Sequence, residues 1–229
     1  MKKIISILFL FLLCYACYYI YNNTEDNKLY LSLIGDELAN NPYFKTNDKI
    51  SKINKDFVND NYHITDLLNI IKYNQEIEIS NKTESIHQIL KKSDIIILSI
   101  GMNDLYYKLN DNIKEIYTYL NNIINNYELI LNEISKYDYK DVYILSYYNI
   151  NNRYNDIFTY INYKLKNLSN TYNYTYIDLN ILNNNPKYYQ NNSNFTLNNE
   201  GYHQIYKLIV EKTKKYWYNI KCIYYYDLY

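Results

Sequence analysis

Two short polar segments carry the side chains of this sequence that are best suited to chemistry. Each directly follows an apolar run. The first consists of Gly35, Asp36 and Glu37, and the second of Gly101, Met102, Asn103 and Asp104. Three carboxylates and one carboxamide, if brought together, can transfer protons or hydrogen-bond a carbonyl oxygen. A metal site built from these carboxylates and His63 is chemically conceivable, but no ligand spacing such as a helical histidine pair supports it. We therefore expect no metal and no cofactor.

The apolar runs before these segments predict buried strands. Residues 94–101, with the sequence DIIILSIG, are mostly apolar or small, are β-branched at the start, and end at a glycine. A strand that is apolar on both faces is typical of the centre of a parallel sheet, where helices cover each side. Residues 29–34, 141–148 and 174–179 are further candidates for strands.

Apolar residues at helical spacing fill the intervals between these runs. They predict helices over residues 48–58, 66–73, 83–92, 110–135, 155–169 and 198–217, with Thr65 capping the second. Strands that alternate with helices favour an α/β fold, a three-layer α/β/α sandwich around a central, mostly parallel sheet. Because ligands bind beyond the carboxyl ends of the strands in such sheets, the two polar segments are expected at one shared rim.

Three sequence blocks, in this order, resemble the SGNH hydrolases, also called GDSL-type esterases and acylhydrolases. The blocks are Gly35-Asp36-Glu37-Leu38, Gly101-Met102-Asn103-Asp104 and Leu197-Asn198-Asn199-Glu200-Gly201-Tyr202. The resemblance spans about residues 29–215 and implies the flavodoxin-like three-layer fold of that family. The family cleaves esters with a serine nucleophile, a histidine base and an aspartate, and backbone amides and an asparagine side chain stabilise the oxyanion.

The positions that carry this chemistry in the family hold other residues here. Glu37 stands at the serine position, and counting back from the last block places Thr196 at the histidine position and Ser193 at the aspartate position. Residues 59–66, where the family has a further oxyanion-binding glycine, contain no glycine. Asn103 is the one retained residue that would contact a reacting carbonyl. The resemblance therefore implies a hydrolase fold in which ester hydrolysis is lost or severely reduced.

Two hypotheses concern what Glu37 does in place of a serine. In the first, its carboxylate fills the former oxyanion site and accepts hydrogen bonds from the Asn103 side chain and neighbouring amides. In the second, His63 is a substitute base that pairs with Glu37 or Asp36, and water is the nucleophile. Four residues are expected to shape the rim rather than to react, namely Gly35, Asp36, Gly101 and Asp104.

The first 25 residues form a candidate targeting segment. Two lysines precede an almost unbroken apolar run, residues 4–21, which is near the lower length limit for a spanning helix. We expect an uncleaved membrane anchor; a cleaved signal peptide and lipid attachment at Cys17 are the alternatives. The protein is then membrane-anchored or secreted at the extracytoplasmic face, with a hydrolase-like domain over residues 26–217 and an aromatic tail over 218–229.

The composition restricts the possible partners. The 229 residues include 24 Lys plus Arg and 24 Asp plus Glu, so no basic surplus attracts nucleic acid. We predict a binding or structural role at the cell envelope, toward a glycan or an acylated envelope molecule. An active esterase with a rearranged site, and an interaction module that uses the aromatic tail, are the alternatives.

Overall fold

A five-stranded parallel sheet forms the centre of the structure, a computed structural model that describes residues 12–16, 29–39, 41–46, 51–79, 82–139, 141–190 and 195–217. The strands are β1 (Leu29–Gly35), β2 (Ser51–Val58), β3 (Glu76–Ile79), β4 (Lys82–Ser85), β5 (Ile95–Ser99), β6 (Asp141–Leu145) and β7 (Thr175–Ile177). Strands β3 and β4 form a separate antiparallel hairpin, and the sheet has the order β2-β1-β5-β6-β7. This flavodoxin-like order confirms the predicted α/β fold with a parallel central sheet.

Helices cover the sheet on both sides. They are α1 (Ile64–Lys72), α2 (Ile86–Lys92), α3 (Met102–Lys108), α4 (Ile113–Ile134), α5 (Asn155–Thr171) and α6 (Asn199–Trp217). Helix α4 packs against α1 and α5, whereas α6 packs against the 3-10 helical turn Pro42–Thr46. Because crossovers between parallel strands are right-handed, α1, α4 and α5 share one face of the sheet. The turn Pro42–Thr46 belongs to the connection from β1 to β2, which crosses the sheet in the opposite direction, so this turn and α6 lie on the other face.

The central strand β5 holds the two polar segments at one level. All five of its residues are buried, and burial of each isoleucine stabilises the fold by about 1.5–3 kcal/mol relative to an exposed side chain. It pairs in parallel with β1, and Gly35 lies opposite Ser99 at the carboxyl ends of the two strands. The chain therefore leaves both strands side by side, at the rim that the sequence predicts for a site.

The predicted helix over residues 48–58 is wrong, because residues 51–58 form the edge strand β2. This strand pairs in parallel with β1, from Leu29 opposite Ser51 to Gly35 opposite Val58. The apolar residues of the segment satisfy a helical spacing, but pairing with β1 supplies backbone partners that a local pattern does not reveal.

Two other predicted elements begin at different residues. Helix α2 starts at Ile86 rather than at residue 83, because Ser85 ends β4 and caps the helix by accepting a hydrogen bond from Gln88 N–H at 3.4 Å. Helix α1 starts at Ile64, with His63 rather than Thr65 at the N-cap position. The β3–β4 hairpin and the short helix α3 were not predicted, since neither shows a sustained apolar period.

Residues 12–16 are the described part of the amino-terminal apolar run. They are helical and exposed. Among the described residues, no helix combines the length and the apolar composition that crossing a membrane requires. The remainder of residues 1–28 and the tail over 218–229 lie outside the described residues, so the anchor and the domain limits stay predictions.

Candidate functional site

The turn after β1 requires glycine. Gly35 has a φ of +127°, and a Cβ atom at this position would lie 1.7 Å from the Ser99 carbonyl oxygen. That carbonyl accepts a hydrogen bond from Asp36 N–H at 2.8 Å, while the Gly35 carbonyl accepts one from Asn59 N–H at 3.0 Å. The chain therefore leaves β1 in close contact with β5, with Asp36 buried and Glu37 half-buried.

Gly101 has the corresponding position after β5. Its φ is +96°, and a Cβ atom there would lie 2.3 Å from the Tyr147 hydroxyl oxygen. Tyr147 is fully buried, and its hydroxyl donates a hydrogen bond to the Ile100 carbonyl at 2.8 Å. Both polar segments thus begin with a backbone conformation that residues with a side chain rarely adopt.

Asp36 ties the two turns together. Its buried carboxylate accepts hydrogen bonds from the Ser99 hydroxyl at 2.9 Å, from Leu38 N–H at 3.3 Å and from Met102 N–H at 3.4 Å. Burial is the largest influence on this group and raises the pKa of Asp36 to about 6; the three hydrogen bonds oppose the shift, and neighbouring Glu37 adds to it. The carboxylate is therefore a structural acceptor with an unusually high proton affinity.

We expect this proton affinity to make Asp36 a source of pH-dependent stability. Its pKa is about 6 in the folded state against an ordinary value of 3.8, so between these pH values the native state binds more protons than the unfolded state. The free energy of unfolding therefore falls as pH rises, and the contribution of Asp36 decreases by about 2 kcal/mol from pH 4 to pH 7.

Carbon-13 NMR of the aspartate carboxyl groups measures this titration directly. We expect one resonance with a midpoint near pH 6 that is missing in Asp36→Asn, and a stability of the unaltered protein that falls relative to that of Asp36→Asn as pH rises. A titration of that resonance near pH 4 contradicts the prediction.

Glu37 is bound by the last helix. The Tyr202 hydroxyl, near the start of α6, donates a hydrogen bond to Glu37 Oε1. The Tyr202 carbonyl in turn accepts one from Asn41 Nδ2 at 2.8 Å. Burial raises the pKa of Glu37, the hydrogen bond from Tyr202 lowers it, and the nearby charge of Asp60 raises it. The carboxylate is thus fixed between the β1 turn and α6.

Asn103 supports the loop that follows β2, residues 59–63. Its Nδ2 group donates to the Asp60 carbonyl at 2.7 Å and to the Tyr62 carbonyl at 3.3 Å. The hydrogen bond predicted between Glu37 and Asn103, both of which are described residues, is not formed. The reason is that each side chain has a different partner, the 59–63 loop for Asn103 and Tyr202 for Glu37.

Asp104 accepts a hydrogen bond from the amino-terminal end of α1. Its carboxylate is buried, and Oδ2 accepts a hydrogen bond from Ile64 N–H at 2.8 Å. The other oxygen, Oδ1, accepts one from the Tyr119 hydroxyl at 3.3 Å and lies 3.4 Å from His63 Nδ1. A carboxylate next to a helix amino terminus also interacts favourably with the helix dipole.

His63 is directed away from the position predicted for a substitute base. Its ring pairs with Asp104 rather than with Glu37 or Asp36, and its backbone N–H donates to the Asp66 carboxylate at 2.8 Å. The ring centroid lies 5.6 Å from that of Tyr107. The two acidic partners of His63 therefore belong to different helices, Asp66 to α1 and Asp104 to α3.

A cleft of about 370 Å³ opens between the two turns and the chain that precedes α6. The residues that line it are Asp36, Glu37, Leu38, Met102, Asn103, Tyr106, Tyr107, Tyr148, Phe195 and Thr196. His63 is not in this set. The volume is that of a small-molecule site.

The aromatic part of the cleft wall was not predicted from the sequence. The Tyr106 hydroxyl donates to the Tyr148 carbonyl at 3.1 Å, the Tyr148 hydroxyl donates to the Phe195 carbonyl, and the rings of Tyr106 and Phe195 are stacked. With 34 tyrosines in the chain, no single one stands out in the sequence. The available signal was position, since Tyr106 lies one helical turn after Met102 and Tyr202 directly follows Gly201.

Of the two remaining predicted site positions, the structure describes Thr196. Thr196 lines the cleft, and its carbonyl accepts a hydrogen bond from Gln190 N–H at 3.0 Å. Ser193 lies outside the described residues. The structure therefore brings Asp36, Glu37, Asn103 and Thr196 together at the predicted rim.

The sequence matches no family model and no curated protein significantly. A search of solved structures, in contrast, finds many chains with a similar fold.

The similar structures include those of lipases and esterases. A lipase from a goat rumen metagenome has a TM-score of 0.64 at 16% identity, over 80% of this chain and 97% of that one. A catalytic mutant of an acetylxylan esterase from Geobacillus stearothermophilus has a TM-score of 0.60 at 12% identity, over 80% and 93%. A member of the lipolytic G-D-S-L family from Veillonella parvula DSM 2008 has a TM-score of 0.54 at 13% identity, over 82% and 99%. At such identities the likeness establishes the fold: this chain has the SGNH hydrolase-like α/β fold, a parallel sheet flanked by helices.

Proposed function

We propose that this chain is a ligand-binding domain on a hydrolase fold, and that it does not cleave esters by the serine route. The observation that carries the proposal is the Glu37 carboxylate, which is bound by Tyr202 at the position where the resemblance has a serine. This carboxylate adds negative charge where the tetrahedral intermediate of ester cleavage would develop its own. Repulsion between the two raises the barrier in a poorly solvated cleft.

The other groups that ester cleavage would use are engaged elsewhere. The Asn103 amide donates to two backbone carbonyls of the 59–63 loop, so its protons are not free for an oxyanion. His63, the substitute base of the rearranged esterase, is paired with Asp104 outside the cleft lining. These contacts favour a binding role over a hydrolase with a rearranged site.

The proposal extends to location and ligand. Residues 4–21 would anchor the domain at the extracytoplasmic face of a membrane, and the cleft would bind a glycan or an acylated envelope molecule. The apolar run in the sequence supports the anchor. The choice of ligand is a fold-level analogy with a lipase and an acetylxylan esterase. The interaction role of the aromatic tail stays an alternative, because residues 218–229 lie outside the described residues.

An ester-hydrolysis assay tests the central claim. The full chain in a mild non-ionic detergent is expected to release p-nitrophenol from p-nitrophenyl acetate and butyrate no faster than Glu37→Gln, which keeps the shape of the side chain and removes its charge. An active GDSL-type esterase in the same detergent shows that the assay detects turnover. Saturable hydrolysis that is lost in Glu37→Gln or His63→Gln overturns the proposal.

A further inference from the structure

The cleft presents negative charge without a compensating positive charge. Asp36 and Glu37 both line it, and Asp60 is close enough to influence Glu37. Within the described residues, the lining includes no lysine, arginine or histidine. A half-buried carboxylate is costly to keep ionised in such surroundings, and a cation supplied by a ligand would remove that cost.

Three side chains of the cleft wall use their hydrogen-bond donors within the protein. Asn103, Tyr106 and Tyr148 all donate to backbone carbonyls. The Tyr202 hydroxyl donates to Glu37 Oε1, and among the described residues the second oxygen of Glu37 has no hydrogen-bond partner. This second carboxylate oxygen favours a ligand that donates hydrogen bonds or carries positive charge.

Aromatic rings form much of the remaining wall. The Tyr106 and Tyr148 hydroxyls are bonded to backbone carbonyls, so these residues offer the cleft their rings rather than their protons. Phe195 lies against Tyr106, and Tyr107 is 75% exposed and lines the same cleft. The face of an aromatic ring attracts an ammonium group through its quadrupole. The rings and the carboxylate therefore favour the same sign of charge.

We propose that the cleft binds an organic cation, a substituted ammonium group, with its charge against Glu37 and its alkyl groups against the rings of Tyr107 and Phe195. This inference rests on the binding role proposed above and names the chemical class of its ligand. A cleft of about 370 Å³ accommodates a trimethylammonium group together with part of the molecule that carries it. Among the glycans and acylated envelope molecules proposed above, one without a cationic group would leave the Glu37 charge without a counterpart.

The test compares two probes of nearly identical shape. Choline and its neutral carbon isostere, 3,3-dimethylbutan-1-ol, are titrated by calorimetry into the full chain in a non-ionic detergent at neutral pH. We expect choline to bind about tenfold more tightly than the isostere, a difference of about 1.4 kcal/mol. Added salt is expected to weaken the binding of choline and to leave the isostere unaffected, because it screens charge.

Three substitutions separate charge from shape. Glu37→Gln is expected to lower choline affinity about tenfold, whereas Glu128→Gln, an exposed charge change on α4, leaves it unchanged. Tyr202→Phe keeps the Glu37 charge and is expected to change choline affinity by less than about threefold. If Glu37→Gln does not fold, as judged by circular dichroism, the salt dependence of the unaltered protein decides.

Several outcomes overturn the inference. They are equal affinities for choline and its isostere, choline affinity that is unaffected by Glu37→Gln or by salt, and no saturation by choline. Any of these results, if no ester turnover is seen, rules out a cationic ligand and leaves the proposed binding role intact. Ester hydrolysis that depends on Glu37 overturns the proposed function itself, so the two failures are distinguishable.

Discussion

Replacing Gly35 by alanine is expected to destabilise the protein by about 4 kcal/mol or to prevent folding. The added Cβ atom would overlap the Ser99 carbonyl oxygen at 1.7 Å, and the residue would have to keep a φ of +127°. Relief requires β1 and β5 to separate at the centre of the sheet, where both are buried. Thermal unfolding followed by circular dichroism should show a Tm about 10 °C lower, since 1 kcal/mol corresponds to about 2–4 °C in a domain of this size.

Ser32→Ala is the matched control for this substitution. Ser32 lies in the same strand, and its hydroxyl is hydrogen-bonded to that of Ser93 at 2.6 Å. The substitution adds no atoms, so we expect a loss of about 1 kcal/mol. A Gly35→Ala protein no less stable than Ser32→Ala would mean that the turn relaxes without disturbing β5, contrary to the argument.

Replacing Asp104 by alanine is expected to cost about 3 kcal/mol of stability. The buried carboxylate accepts hydrogen bonds from Ile64 N–H and from the Tyr119 hydroxyl, and both donors lose this partner when it is removed. The amino terminus of α1 also loses the negative charge that its dipole favours. Urea unfolding followed by tryptophan fluorescence and circular dichroism measures the change.

Two variants show whether the loss comes from these contacts. Asp104→Asn keeps an oxygen acceptor for Ile64 N–H, so we expect a loss between those of the unaltered protein and Asp104→Ala. Asn103→Ala removes the neighbouring side chain, but the Asp60 and Tyr62 carbonyls that it serves can bond to water instead, so the expected loss is about 1 kcal/mol or less. Equal losses for Asn103→Ala and Asp104→Ala would contradict the assignment.

The contacts of Asp36 and Asp104 explain how the fold can keep its cleft although a charged glutamate stands at the position of the serine. The buried carboxylates of Asp36 and Asp104 accept hydrogen bonds that hold the walls of the cleft in place. Glu37 is not a partner in any of these hydrogen bonds. A site supported in this way is preorganised, which lowers the entropic cost of binding a ligand. The residue at position 37, after the turn that follows β1, can therefore change without loss of the surrounding geometry.

The sequence predicted where the main strands and helices lie along the chain better than it predicted which strands pair with each other. The apolar run at 94–101 and the long helical pattern at 110–135 correspond to β5 and α4. The segment over residues 51–58 became a strand, because its backbone partners are supplied by β1 and not by nearby residues. The spacing of apolar residues along a segment indicates which of them are buried, but it says little about which strand the segment pairs with.

The same division holds for the site. The sequence by itself determined that two glycine turns follow β1 and β5, that Glu37 and Asn103 come directly after them, and that both lie at one rim. Only the tertiary structure decided that Glu37 is bound by Tyr202, 165 residues later in the chain, and that Asn103 serves the 59–63 loop. The physical reason is that backbone conformation and burial follow from short-range residue types, whereas the partner of a polar side chain depends on which distant segments the packed sheet and helices bring within hydrogen-bonding distance.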